Sequence, residues 1–407
     1  MPAITSFRSR AEVFDYLDEY AFTRKEEVNR RELGQGLIKS YVLETFPNHD
    51  GAHVSPDLPA VLKGMSWQVK PIEANELYAV RDEKGDLGFI EAISARHLVL
   101  HSYEVTQRVD QAVQKDVRNT ALLDSLWLAG NTFSSLWETL IYPHLPDRFV
   151  TIKFEHLGRF EESGEDIETG DDEIADWSAE EVIEQRASTL AITERARQLG
   201  ELLPHLQEYH PAFKAIKMLR FPASATPGGY EFWSWGKVTY RAPSFRDGRE
   251  QVLSITRLYE QATLAIENLI WFQIERHTPP NGDGITLQGA PVTLQFSQPL
   301  QLSTFRNFIT VTFERNQGPL RLWGNPIWLS EKKVHVYGID MHLWQRVYFE
   351  ITPRRIVAIL PRGTCGNTVH RLMTNVQRYL DPAVQMFIGD IRYSDLIHDI
   401  LLGKVGV

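Results

Sequence analysis

The hydrophobic period of this chain changes near residue 285, and that change limits the folds open to it. From about Arg249 to Arg276 apolar side chains recur at three and four residues, through Val252, Ile255, Tyr259, Ala262, Ile266, Leu269 and Ile270. This spacing sets them on one face of a long helix, which Pro279 and Pro280 end. From residue 285 the period is two. PVTLQFSQ, NFITVTFER, KKVHVYGID, RVYFEIT and RRIVAIL are strand-like runs between turn residues, and helical patterns follow at about 367–380 and 392–402. Helices and strands therefore come in blocks rather than in alternation. That argues for an α+β protein and against a doubly wound sheet.

The N-terminal part follows the same logic. Residues 1–47 read as helical, with Phe14, Leu17, Val28 and Leu33 spaced among charges and Pro47 closing the segment. ELYAVRD, LGFIEAI and RHLVLHSYE then form an antiparallel meander around a turn at EKGD. Two helices are expected next, VRNTALLDSLWLAG stopped by Gly130 and TFSSLWETLIY stopped by Pro143, before the strand FVTIKFEH. The layout expected is a mixed α+β domain over 1–156, an acidic linker over 157–177, a helical middle region over 178–280, and a β-rich domain with terminal helices over 281–407. Within the middle region Ser178 and Glu181 make a capping box.

Charge is unevenly placed. The 407 residues carry a formal net charge of −10, yet between Glu155 and Glu184 thirteen acidic residues face only Arg159. That window alone nets −12, whereas residues 201–407 hold 22 basic and 17 acidic residues. The acidic run reads as a solvated linker, as a strap that shields a basic surface, or as a segment that docks on a basic partner. The mildly basic C-terminal half keeps an anionic partner open. The N-terminus has no apolar h-region, and the most apolar stretch, TLAIENLIWFQIE, is interrupted by Glu267 and too short to span a bilayer. One cysteine, Cys365, allows no internal disulfide and no cysteine-rich zinc site. The expectation is a cytoplasmic protein without cofactor, without metal, and without membrane contact.

Two segments mix aromatic and basic residues. GGYEFWSWGKVTYRAPSFRDGR offers Trp233 and Trp235 as stacking groups and Lys237, Arg241, Arg246 and Arg249 as phosphate contacts. STFRNFITVTFERNQGPLRLWGNPIW adds Arg306, Arg315, Arg321, Trp323 and Trp328. The same composition suits a protein interface. These segments lead to the main expectation, a non-catalytic binding or adaptor component of an assembly that contacts nucleic acid or another anionic partner through its C-terminal surface. A purely structural protein–protein subunit is the second reading.

The third is an enzyme. RIVAILPRGTCGNTVHRLMTN reads as strand, Gly-containing loop and helix, and puts Cys365 six residues before Arg371. The spacing resembles the Cys-x5-Arg signature of cysteine-dependent phosphatases, and the resemblance implies a nucleophilic Cys365 with Arg371 on the phosphate oxygens. Leu372 stands where Ser or Thr follows the Arg in that family, and no histidine directly precedes the cysteine. Asp340 and Glu350, in adjoining strand-like runs, resemble the paired carboxylates of metal-dependent nucleases, but Thr352 occupies the position of the usual lysine. His49 with His53, and His97 with His101, lack the helical spacing of a metal pair.

Overall fold

A computed structural model describes residues 4–29, 36–46, 61–62, 64–73, 76–141, 143–158, 160, 187–277, 284–315 and 318–404. The acidic run from 161 to 186, with the capping box at Ser178 and Glu181, lies outside these residues, as do His49 and His53. The α+β class holds: the described residues form eight helices and two sheets built almost wholly from antiparallel pairs.

The first sheet is assembled around β1 (Lys39–Glu44), a run of six buried residues. On one side follow β5 (His97–Ser102), β4 (Gly85–Ala92), β3 (Leu77–Asp82) and β2 (Gln68–Glu73). On the other side come β11 (Lys237–Tyr240), β10 (Gly229–Trp233), β9 (Ile216–Pro222), β7 (Phe149–Leu157) and β8 (Ala187–Arg195), while the short β6 (Asp124–Ser125) also pairs with β1. The sheet thus runs past residue 156 and takes four strands from the region expected to be helical. IKSYVLE belonged to the segment read as helix. Tyr and Val favour strands there, and a strand covered on both faces has no polar alternation to announce it.

The second sheet runs β15 (Leu322–Ser330), β16 (Lys333–Asp340), β17 (Gln345–Thr352), β18 (Arg355–Pro361), β14 (Val292–Gln295), β19 (Gln385–Ile388) and β20 (Ile391–Arg392). A ribbon of β12 (Trp271–His277) and β13 (Gly284–Gln288) joins it through a parallel contact of β12 with β18.

Helix α1 (Arg10–Asn29) and the first half of α5 (Phe245–Ile270) cover one face of the first sheet, and α2 (Thr106–Asn119) covers the other. The remaining helices are α3 (Gly130–Leu136), α4 (Ala196–Tyr209), α6 (Leu302–Ile309), α7 (Asn367–Tyr379) and α8 (Tyr393–Leu401). Ser244 caps α5 by accepting from the Asp247 N–H at 3.2 Å. Val252, Ile255 and Tyr259 of α5 pack into the core of the first sheet, and Ala262, Ile266 and Ile270 into the core of the second. One helix therefore serves both cores. It ends at Ile270, before the expected limit, because WFQIE is drawn into the β12 pairing. NFITVTFER is also not a strand. Phe305, Phe308, Ile309 and Phe313 share a helical stripe, and the segment closes α6 with a π-type turn. VRNTALLDSLWLAG likewise spans the end of α2, β6 and a loop, and Gly130 opens α3 instead of stopping a helix.

Candidate buried ionic site and open sheet face

All thirteen residues of α7 are buried, including His370, Arg371, Asn375 and Arg378. A helix with so many polar groups can be buried only if its surroundings supply partners. β1 and β6 supply the first two acids. Glu44 stands directly opposite Asp124, both fully buried, and like charges across a ladder repel unless cations intervene. Three guanidiniums intervene. Arg96, just ahead of β5, donates through Nε to Glu44 at 2.5 Å and through Nη1 and Nη2 to Glu267 of α5 at 3.1 and 2.5 Å. Arg371 donates to Asp124, to Asp340 at 2.5 Å and to the Leu320 carbonyl at 3.0 Å. Arg321 donates to the Leu123 carbonyl at 2.6 Å and lies 3.3 Å from Asp124.

Neutral groups complete the network. Thr368 donates to Asp340, Tyr259 to Asn367, and Asn367 to the Ser125 carbonyl at 3.0 Å. The Gly366 N–H donates to Glu267 at 2.7 Å. Burial alone would raise the Asp124 carboxyl, but Arg371 and Arg321 outweigh it and hold Asp124 at about 2. Burial, reinforced by Arg96, drives His370 down to about 3.

Cys365 and Arg371 belong to this network and not to a phosphate loop. Cys365 is 1% exposed, its sulfur lies 3.3 and 3.4 Å from the Glu44 oxygens, and Arg96 donates to it at 3.1 Å. Burial first, then the charge of Glu44, pushes the thiol well above its ordinary range. The Nε, Nη1 and Nη2 atoms of Arg371 each already meet an acceptor. The geometry thus removes the basis for a thiolate nucleophile with a phosphate-binding arginine. Asp340 and Glu350 are also apart in role. Asp340 is buried against Arg371, while Glu350 meets Lys333 at 2.7 Å, His335 at 3.3 Å and Arg355 at 3.4 Å.

The aromatic-basic segment near Trp233 is largely internal. Trp235 and Lys237 are buried, and Lys237 donates to Asp110 at 2.6 Å. Arg249 donates to Glu91 at 2.5 and 2.9 Å, Arg241 to Glu231 at 2.8 Å, and Arg246 to Asp15 at 2.6 Å. The Trp233 ring is ringed by the ammonium groups of Lys153, Lys217 and Lys237 at 5.5–5.8 Å. These six residues are therefore engaged within the fold. Ion pairing with the N-terminal half, invisible to a local reading, engages Lys237, Arg246 and Arg249, whereas Arg241 pairs with Glu231 nearby in sequence.

The second mixture behaves differently. One face of the second sheet carries Val334, Val336, Val347, Phe349, Ile356 and Ala358 into the core. The other face is open. Across it Asn325, Tyr337, Tyr348 and Ile359 stand opposite one another in register, with Trp323, Ile339 and Arg346 in the next row. Trp323, Tyr337 and Ile359 are 48%, 60% and 39% exposed. Lys333, Arg346 and Arg355 flank them, and Glu350 is the acid among them. Arg321, by contrast, is buried in the ionic network.

A model of the MJECL33-like protein family matches residues 1–394. The chain belongs to this family. A relative from Methanocaldococcus jannaschii, described as the uncharacterized protein MJECL33, is 22% identical over 403 residues, covering 93% of this chain and 94% of its own length. No solved structure matches the chain. Among the described residues, no helix of this family member is long and apolar enough to cross a membrane.

The sequence reading missed Glu44, Arg96, Asp124, Glu267 and His342. A signal was present for some of them. Asp124 and Glu267 interrupt otherwise apolar runs, ALLDSLW and TLAIENLIW, and an acid inside such a run needs a buried cation.

Proposed function

We propose that the chain is a non-catalytic binding or adaptor component of a cytoplasmic assembly, and that its ligand is single-stranded nucleic acid laid across the open face of the second sheet. The observation that carries this reading is the open face on which exposed Trp323, Tyr337 and Ile359 lie in two adjoining rows beside half-buried Tyr348, flanked by Lys333, Arg346 and Arg355. Aromatic rings on an open sheet stack bases, and neighbouring cations meet the phosphates. Arg346 reaches no carboxylate within ion-pair distance among the described residues, and a single acid, Glu350, faces the two cations Lys333 and Arg355. The face is therefore cationic overall. The lone, buried thiol fits a reducing compartment.

The test is fluorescence anisotropy with labelled single-stranded DNA and RNA over a salt series. Affinity should fall with salt as phosphate contacts release counter-ions. Stacking contributes about 1–3 kcal/mol per base, so Trp323→Ala and Tyr337→Ala should each weaken binding roughly 5- to 150-fold. Salt-insensitive binding, or variants that bind like the parent, would end the proposal.

A second reading, a protein–protein subunit, is favoured by the β12–β13 ribbon. Ile274 pairs with Leu287 across it, and Ile274, Ile285 and Leu287 are 68%, 68% and 63% exposed. Loss of a co-purifying protein on Ile274→Ser with Leu287→Ser, insensitive to nuclease, would support that reading over the first.

A further inference from the structure

The ionic network is not closed at one corner. His342 lies in the turn between β16 and β17, fully buried, and its Nδ1 is 3.0 Å from the Ala121 carbonyl. A carbonyl only accepts, so Nδ1 carries the hydrogen. Its Nε2 is buried with no hydrogen-bond partner and lies 3.8 Å from a Glu44 oxygen, beyond hydrogen-bond reach. Nε2, the Glu44 carboxylate and the Cys365 sulfur lie within 4.8 Å of one another. An imidazole lone pair, a carboxylate and a sulfur thus come together, and nothing among the described residues satisfies the imidazole.

The charge balance points the same way. Four buried carboxylates, Glu44, Asp124, Glu267 and Asp340, meet three guanidiniums, Arg96, Arg321 and Arg371. With thiol and imidazole neutral, one negative charge is left without a counter-ion in a low-dielectric interior, which is costly.

We propose that Glu44, His342 and Cys365 hold a divalent transition metal of the zinc class, tying the first sheet to the second. The donor set of one imidazole nitrogen, one thiolate and one carboxylate suits zinc over calcium or magnesium. Binding breaks the Cys365 S–H bond, forms a sulfur–metal bond and releases the proton to solvent, with no change of oxidation state. Two positive charges gained and one proton lost bring the network to neutrality.

The outer contacts are those of a metal centre. The Nδ1–H donor to a backbone carbonyl fixes the imidazole tautomer, and Arg96 donates to the sulfur that would become a thiolate. The backbone around the site is held in uncommon conformations. Arg321, Leu343 and Trp344 are the non-glycine residues with positive φ among those described, at 53°, 67° and 55°, and Leu343 and Trp344 directly follow His342. Bulky residues persist there only when their surroundings insist on it, as the Leu343 N–H does by donating to Ala121 at 2.8 Å. Glu44 comes from the first sheet while His342 and Cys365 come from the second half, so the metal would act as a clamp and not as a solvent-reached catalyst.

The experiment uses the full chain, tag removed, with zinc or cobalt(II) as the sole added metal. Dialysed protein should retain zinc near one ion per chain by mass spectrometry, and cobalt should give thiolate-to-metal charge-transfer absorption. Cys365→Ser should abolish that absorption. His342→Gln should weaken cobalt binding at least about 100-fold, beyond what loss of an outer partner costs, with circular dichroism unchanged. Folded parent protein that takes up neither metal, or cobalt bound without the charge-transfer band, would overturn the proposal. The parent's spectrum decides the matter even if a variant does not fold, and it is read without any oligonucleotide.

Discussion

Replacing Arg371 by Met keeps an unbranched, apolar stem and removes the guanidinium with its charge. The substitution leaves Asp124 with Arg321 and the Trp127 Nε1–H at 3.1 Å, and leaves Asp340 with Thr368 and the His342 N–H at 2.9 Å. Each acid keeps neutral donors, but the cation they share is gone. Removing one partner of a buried pair costs about 3–5 kcal/mol, because the stranded charge cannot return to water. For a cooperative unit of about 150–250 residues this is a fall in Tm of roughly 6–20 °C. The pH dependence gives the reasoning a second edge. Asp124 is held at about 2 against an ordinary 3.8, so its contribution is present above about pH 3.8 and lost as pH falls toward 2. In Arg371→Met the burial of the Asp124 carboxyl works unopposed by that guanidinium, it takes up a proton at higher pH than in the parent, and the deficit relative to the parent should shrink on acidification. Urea unfolding followed by circular dichroism at pH 7 and pH 4 measures both. Adding Asp124→Asn and Asp340→Asn to Arg371→Met should recover part of the loss. A deficit below about 1 kcal/mol at pH 7, or one of equal size at both pH values, would refute the argument.

Three further outcomes are expected. A Cβ at Gly248 would sit 2.4 Å from the Cε1 atoms of Tyr230 and Tyr240, and the Tyr230 hydroxyl is pinned by Ser244 and Asp247 at 2.9 Å. Gly248→Ala should therefore cost about 1–3 kcal/mol of stability, read as a lower urea midpoint, despite a helix-propensity gain near 1 kcal/mol, and a more stable variant would contradict this. Glu91 is buried between Arg249, Arg10 and His101, and although burial opposes it, His101 and Arg249 hold the carboxyl well below its ordinary 4.5. That contribution exists above about pH 4.5 and is lost as pH falls below it, so Glu91→Gln should cost about 3–5 kcal/mol at pH 7 and flatten the acid limb of the stability profile. Finally, Cys365 should react with an aromatic disulfide reagent only after unfolding, since it is buried. Labelling of the native chain at the rate of a free thiol would remove the buried network from consideration.

Much of the fold was legible because period and burial agree. The strands from Lys333 to Pro361 alternate cleanly, one face in the core and one open, and α7 and α8 fall where the helical pattern put them. Legibility failed where both faces are covered. β1 has no polar alternation, and Thr310–Glu314 carries strand-favouring residues that tertiary packing keeps as a helical turn. The candidate site was least legible. Its partners come from residues such as 44, 96, 124, 267, 340 and 371, and what pairs each charge is topology, which local patterns do not carry. Trp323, named from composition, is exposed, whereas Lys237 and Arg249 were indistinguishable in sequence from surface cations until Asp110 and Glu91 were placed beside them.

The wholly buried polar helix α7 also sets an order of assembly. Arg371 meets Asp124 across 247 positions of chain, and Arg378 meets Glu155 across 223. During synthesis from the N-terminus, the first sheet has all of its strands once residue 240 has emerged, yet Glu44, Arg96 and Asp124 then still face water, their charges awaiting a helix that has not been made. Hydration keeps that half soluble but leaves its contact surface unlocked, and the last step must strip water from several charges at once. A chain released before residue 367 should therefore be an acid-rimmed, open first half, prone to capture by chaperones, and closing it is the work of the final forty residues.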